Sequence, residues 1–394
     1  MKYKSSTIRR IQSISRREIR TFSRRPLFLF CMIIAPLTCI FFFTSLMKAG
    51  LPTRLPAAVV DEDNTHITRI MLRMMDSFED VNLTHIYRSF GDARQAMQRG
   101  EIYGFFYLPK GITKEAESSR KPRVSFYTND AYYVPGNLLM KDMKTCSELI
   151  GLALVRANLW ANGYTEHDAL GIIQPIVIEA HPMKNSFLDY SVYLNNMLVP
   201  GIIILLIMLS TTYCIGMEWK NNRQKVWFWM AGESVWVALI GKLLPQTVVY
   251  SIIMIFMDVV FFRYLGYPCN CGIAMMMFIS VLTVLSSQGF GVFLFGLMAG
   301  EMRLAMCICS LWGILSFSLA GFTYPVTAMN PFLRALAVWF PLRHYYLMYV
   351  DLALDGYSIR YVLDSLCWMI GFCLLPFLTT SIYHKAFLKY EYLK

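Results

Sequence analysis

Six stretches of about twenty residues with almost no charge dominate this sequence and leave few folds open to it. A hydrocarbon core about 30 Å thick needs roughly 20 apolar helical residues to cross it. Leu27–Leu46 meets that length without a charge, broken only by Pro36. Met197–Met217, Leu243–Phe262 (interrupted by Asp258), Ile273–Met298, Leu304–Phe322 and Tyr361–Tyr383 repeat the pattern. One such run could be a buried core helix. Six with polar connectors cannot, because no soluble core of this size buries so many all-apolar helices. The first run is also too long for the apolar region of a cleaved signal peptide, and Met47-Lys48-Ala49 is a poor cleavage site. The fold expected is a polytopic α-helical membrane protein with six transmembrane helices.

Composition agrees. The chain of 394 residues is 56% hydrophobic and only 16% charged, against about a quarter charged for soluble domains. Residues 49–191 are the exception, with 17 acidic and 15 basic residues. The net charge of +11 therefore belongs to the membrane parts and their flanks, and does not point to nucleic acid. Seven of ten cysteines lie in the apolar runs and Cys146 is alone in 49–191, so that region has no internal disulfide. Cys269 and Cys271 bracket Asn270 without nearby histidines, a weak metal signal. No metal site is expected.

Lysine and arginine set the orientation. Residues 1–26 carry nine of them, from Lys2 and Lys4 to Arg25, against the single acid Glu18. Both termini are then cytoplasmic, as are loops 218–238 and 299–303 with Lys220, Arg223, Lys225 and Arg303, and the tail with Lys385, Lys389 and Lys394. The resulting organisation is a cytoplasmic amphipathic helix (1–26), transmembrane helix 1 (27–48), an extracytoplasmic, periplasmic α/β domain (49–191), transmembrane helices 2–6 (192–383) and a cytoplasmic tail (384–394). At helical spacing Ile8, Ile11, Ile19 and Phe22 share one face, opposite Arg9, Arg10, Arg16, Arg17, Arg20 and Arg24. That is a basic amphipathic helix with its arginines among anionic lipid headgroups. A plain topogenic charge cluster is the alternative.

Within 49–191 the spacing predicts strands at Leu55–Val60, Val81–Tyr87, Ile102–Leu108 and Arg123–Tyr127. Helices follow Thr65, cover Asp92–Arg99, and run from Leu138 to about Trp160. His66, His85, His167 and His181 are dispersed, with no ligand spacing. After the fifth run, Pro325, Pro331 and Pro341 divide a segment too short to span. Short helices that dip in and turn back over 323–348, a re-entrant helical hairpin, are expected before the sixth span. An aromatic interfacial loop is the alternative.

Taken in order, these features resemble the permeases of type-2 ABC transporters, the drug and lipid exporter group. Pro56-Ala-Ala-Val-Val-Asp61-Glu62-Asp63 is similar to the strand opening that family's outer domain. Ala96-Met-Gln-Arg-Gly100-Glu-Ile-Tyr-Gly104, followed by Leu108-Pro109-Lys-Gly111, is similar to its helix–strand–turn. Val199-Pro200-Gly201, and Glu218 followed by Gly241-Lys242-Leu243-Leu244-Pro245, continue the match. One departure is that Glu218-Trp219-Lys220-Asn221-Asn222-Arg223 lacks the second acid and the Gly-Thr usual after the second span. The resemblance implies a multi-pass protein of a bacterial inner membrane that works with a second permease, identical or related, and a nucleotide-binding ATPase. A periplasmic adaptor protein is a further partner it admits. ATP and Mg would sit on the ATPase, since Gly241-Lys242 lacks the remainder of a phosphate-binding loop, and this chain would bind no cofactor.

Two groups of site residues follow. In loop 218–235, Glu218, Trp219, Lys220, Arg223, Trp227, Trp229 and Glu233 are expected to couple to the ATPase; floating of the aromatics at headgroup level is the alternative. Asp258, with Pro325, Pro331 and Pro341, is assigned to translocation or gating, because a carboxylate inside a span is costly and usually functional. Asp258 is expected at the permease interface or at the outer headgroup boundary. No catalytic residue is expected. A membrane-bound transferase would need clustered polar residues where only Asp351, Asp355 and Asp364 are scattered. A non-transporting scaffold or receptor of the same architecture is the rival reading.

Overall fold

The computed structural model describes residues 6–48, 50–117, 123–174, 189–298 and 301–389. Lys2, Lys4, Lys394 and His181, invoked above, lie outside them. The chain forms two compact units, Met1–Gly50 with Pro182–Lys394, and Leu51–His181.

Among the described residues the first unit holds six helices long and apolar enough to cross a membrane: Pro26–Leu46, Tyr190–Lys220, Val235–Tyr264, Ile273–Leu297, Met302–Leu319 and Ile359–Leu388. They are spans 1 to 6 below. Each contains most of its expected run, and spans 2 and 3 begin about two turns earlier than the apolar run alone implied. Asp189 caps span 2 by accepting from the Ser191 amide (2.7 Å), and Ser234 caps span 3. Caps of this kind take the first orphan N–H groups of a helix. Spans 2 and 4 are two-thirds or more buried within the unit, while spans 1, 5 and 6 expose most of their surface. Large apolar side chains such as Phe41, Leu311 and Leu378 are therefore left facing outward.

Close approach between spans rests on small residues. A Cβ at Gly289 of span 4 would collide with the Phe372 carbonyl of span 6, the small-residue packing that membrane helices use in place of a hydrophobic drive. Buried hydroxyls and amides add to it. Gln246 of span 3 donates to Ser210 (2.6 Å) and Thr211 (3.1 Å) of span 2, and Thr247 donates to Gln288 (2.6 Å) of span 4. Span 1 loosens into a π-helical turn at Phe30–Ile34, immediately before Pro36, as expected where a residue without an N–H interrupts the ladder.

Between spans 5 and 6 the chain forms a 3₁₀ turn, Val326–Ala328, and helices Pro331–Ala337 and Pro341–Met348. Pro331 and Pro341 each stand in the first turn, where a missing N–H costs nothing. Pro325 and Pro331 are exposed and Pro341 is buried. Two of these prolines thus act locally as helix starts.

The second unit is a four-stranded sheet of order β2-β1-β3-β4, with β1 Leu55–Asp61, β2 Val81–Tyr87, β3 Gly104–Leu108 and β4 Ser125–Thr128. β1 pairs in parallel with β2 and β3, and β4 closes the edge antiparallel. Helices cover both faces. Met71, Met75, Leu139 and Met143 pack on Ala57, Val59 and Phe106; Ala93 and Ala96 pack on Ala58, Val60 and Phe105. Burial on both sides explains why β1 reads as an unbroken apolar run. Helices His66–Asp76, Phe90–Gln98 and Tyr133–Ala161 match expectation; Ile112–Glu117 and Glu166–Ile173 were not anticipated.

Candidate functional site: a charge clamp beneath the loop helix

The N-terminal helix, Thr7–Arg24, is not free on a surface. Its buried side is Ile14, Ser15, Glu18 and Phe22, while Ile8 and Ile19 are 66% and 52% exposed. The expected apolar face is therefore corrected by a rotation. The strip that packs on span 3 includes the one acid of the segment, and Ile8 and Ile19 form a flank between that strip and the arginines. Ser15 donates to the Gly241 carbonyl (2.8 Å), and a side chain at Gly241 would press on Ile14.

The reason a carboxylate can be buried there is Lys242. Its Nζ lies 2.9 Å from Glu18 and 2.8 Å from Glu218, and both Lys242 and Glu18 are only 2% exposed. Arg17 pairs with Glu18 (2.9 Å) and with Glu218. Two acids and two bases, from the N-terminal helix, the end of span 2 and the start of span 3, thus close a neutral clamp. Each buried charge is compensated, which a lone one could not be without a penalty of several kcal/mol. Sequence reasoning gave Glu218 to a partner and read Lys242 only as part of a motif. Here Glu218 is committed inside the chain, so it offers at most one unpartnered oxygen, Oε2.

Loop 218–235 folds as a helix, Gln224–Met230, between turns where Asn222 and Glu233 take positive φ. Gly232 at φ +69° leaves room for the Arg10 guanidinium, which a side chain there would displace. The loop helix has two sides. Trp227 is fully buried; its Nε1 donates to Ala238 (3.3 Å), and Lys242 Nζ lies 5.1 Å from its ring centre. With Phe228 and Trp219 it packs on Phe295, Tyr383 and Phe387 of spans 4 and 6. The outer side shows Lys225, Val226 (56% exposed) and Trp229 (75% exposed), with Lys220, Arg223 and Glu233 also exposed. Sequence grouped Trp219, Trp227 and Trp229 as contact residues. The structure corrects this: Trp219 and Trp227 are internal anchors, neither docking surface nor headgroup floats, and only Trp229 faces out.

Arg9, Arg16, Arg17, Arg20 and Arg24 line one open basin of about 880 Å³, whose far wall includes Arg223. Asp258 is elsewhere. It is fully buried in span 3, with neither oxygen hydrogen-bonded. The hydroxyls of Ser280 (span 4) and Tyr345 lie beside it, also without a bond of normal geometry. The expected exposure at a permease interface is corrected, because its side chain does not reach the surface of this chain. Pro325 and Pro331 are exposed, whereas Asp258 is not. Among the described residues no group of three or more metal-ligating side chains occurs.

The bundle of apolar helices, with its compensated charges, defines a multi-pass membrane protein whose loop helix is wired into several spans at once. Residues 26–382 match the family model for ABC-2 family transporter protein. The chain belongs to that family of transporter membrane subunits, and membership implies a separate nucleotide-binding ATPase as partner. A search of curated proteins found no match.

Proposed function

We propose that this chain is the permease of an ATP-driven exporter of the bacterial inner membrane, moving an amphiphilic or drug-like substrate outward. ATP and Mg act on the separate ATPase; a second permease completes the path, and a periplasmic adaptor is a further partner. In this reading the termini are cytoplasmic, residues 51–174 lie outside, and segment 323–348 is re-entrant from that side. A single cysteine at Lys110 would then react with an impermeant thiol reagent added outside and one at Lys225 would not; the reverse sinks the topology.

The observation that carries the coupling role is the two-sided loop helix. Its outer side presents Trp229 and Val226 among Arg223 and Lys225, a mix of exposed aromatic and cation common at interface anchors. Its inner side is keyed into spans 2, 3, 4 and 6, and the charge clamp fixes the N-terminal helix to the same frame. A push on Trp229 therefore moves several spans together, because a packed core transmits displacement rather than absorbing it. Asp258, with Ser280 and Tyr345, supplies the polar element inside the bundle, and its role here is in gating.

The test is Trp229→Ala. The permease should insert and melt normally, yet hold its ATPase on the order of ten-fold more weakly and lose export. Undiminished ATPase co-purification would show that this side only anchors in the headgroups.

A further inference from the structure

Beside the charge clamp, the N-terminal helix, span 1 and span 3 enclose a narrow crevice of about 350 Å³. Ile19, Phe22, Phe28, Met32, Pro245 and Val248 form most of its wall. Its only hydroxyl side chains among the described residues are Ser15 and Ser23, and both are already bonded, to Gly241 O (2.8 Å) and Ile19 O (2.9 Å). Water held there would lack the two to four polar partners it requires, so the crevice suits hydrocarbon. It opens outward, where Leu29, Leu244 and Val248 are 39%, 43% and 50% exposed.

The same helix is charged one turn away. Arg16, Arg20 and Arg24 recur every fourth residue and so share one face of the helix. Arg16 stands one turn from Ile19, and Arg20 one turn from Ser23, the two residues at that edge of the crevice. Arg17 is taken by Glu18 and Glu218. Arg16, Arg20 and Arg24 make no hydrogen bond or ion pair among the described residues. Free guanidinium groups bind phosphate through paired N–H donors. The helix carrying them is fixed by Ile14, by Ser15 on Gly241 and by the Glu18–Lys242 pair. Crevice and arginines therefore hold a set spacing, unlike those of a helix floating in the headgroups.

We propose that this crevice and the arginines one turn away on the same helix form a binding site for one anionic phospholipid, with an acyl chain between the N-terminal helix, span 1 and span 3 and the phosphate on Arg16, Arg20 and Arg24. The site rests on reading this helix as lying at the cytoplasmic membrane surface. Its occupant bridges the helix to two spans at the level of the clamp, so the lipid is part of the coupling frame. Each arginine at an anionic surface contributes roughly five-fold, and three give a preference for anionic over zwitterionic lipid on the order of a hundred-fold.

The delipidated full chain, purified in detergent, is titrated with phosphatidylglycerol or phosphatidylcholine and the bound lipid counted by native mass spectrometry. Wild type should retain one phosphatidylglycerol at about a hundred-fold lower concentration than phosphatidylcholine, with no competition from inorganic phosphate. R16Q/R20Q/R24Q should lose the preference, and Leu29→Trp, which fills the crevice without changing charge, should release both lipids. Equal retention of the two lipids by wild type would overturn the site. So would competition by inorganic phosphate, or a preference that survives in the triple variant. A spin label at Ile8, tested for oxygen accessibility in vesicles of both lipids, separates the two layers: a label in water refutes the surface location, whereas one in hydrocarbon without lipid preference refutes only the site.

Discussion

Replacing Lys242 with Met tests the charge clamp directly. The ammonium lies 2.9 Å from Glu18 and 2.8 Å from Glu218 at 2% exposure, so the variant leaves two buried carboxylates sharing Arg17. One negative charge then has no compensation. Breaking a buried pair in this way costs about 3–5 kcal/mol. For a unit of this size each kcal/mol moves the melting temperature by about 2–4 °C, which places the fall at roughly 6–20 °C. Adding Glu18→Gln restores neutrality, with Arg17 still paired to Glu218, and the double variant should regain more than half of the loss. The assay is thermal unfolding in detergent followed by a thiol-reactive dye, since Cys214 is 1% exposed and sits 3.9 Å from Glu18. The reasoning fails if Lys242→Met melts within about 2 °C of wild type, or if the double variant is as unstable as the summed singles.

Trp227→Ala should differ in kind from Trp229→Ala: removing the buried ring costs about 3–5 kcal/mol and lowers the melting temperature, whereas the exposed one should change stability by less than about 0.5 kcal/mol. In the α/β unit, burial pushes the carboxyls of Asp80 and Asp142 above the usual carboxylate range, and the charge of Asp80 raises Asp142 further. A raised folded-state pKa means the folded form holds the proton more tightly, so the unit is penalised above those values and relieved as pH falls through them. Asp142→Asn should therefore slow amide exchange in Tyr133–Ala161 at pH about 7, an advantage that vanishes on acidification; faster exchange at neutral pH would contradict it. Asp258→Asn should reduce export and substrate-stimulated ATPase activity several-fold, and unchanged values would end its gating assignment.

The membrane architecture was legible in the sequence because its cause is local and additive. Span length follows from bilayer thickness, and each run of about twenty apolar residues carries that information by itself. β1 and β2, the helix after Thr65 and the helix across Asp92–Arg99 were legible for a similar reason, since caps and periodicity act within a few residues. Pairing was not. Glu18 sits 200 residues from Glu218 and 224 from Lys242, and nothing in the local pattern of any one says that they meet. The sequence therefore offered Glu218 to a partner and left Lys242 inside a motif. Only packing, which forbids an uncompensated charge in the interior, assigns the two to each other. The tryptophans teach the same point. Trp227 and Trp229 are two residues apart with the same chemistry, but on a helix that separation is 200°, and once the loop docks on spans 4 and 6 one ring is core and the other is surface. Sequence alone determined that this chain is a multi-pass membrane protein, with six runs long and apolar enough to span and an α/β insertion among them. Which of its charges and rings face inward was decided by tertiary structure, because burial is a property of what packs against a residue and not of the residue itself.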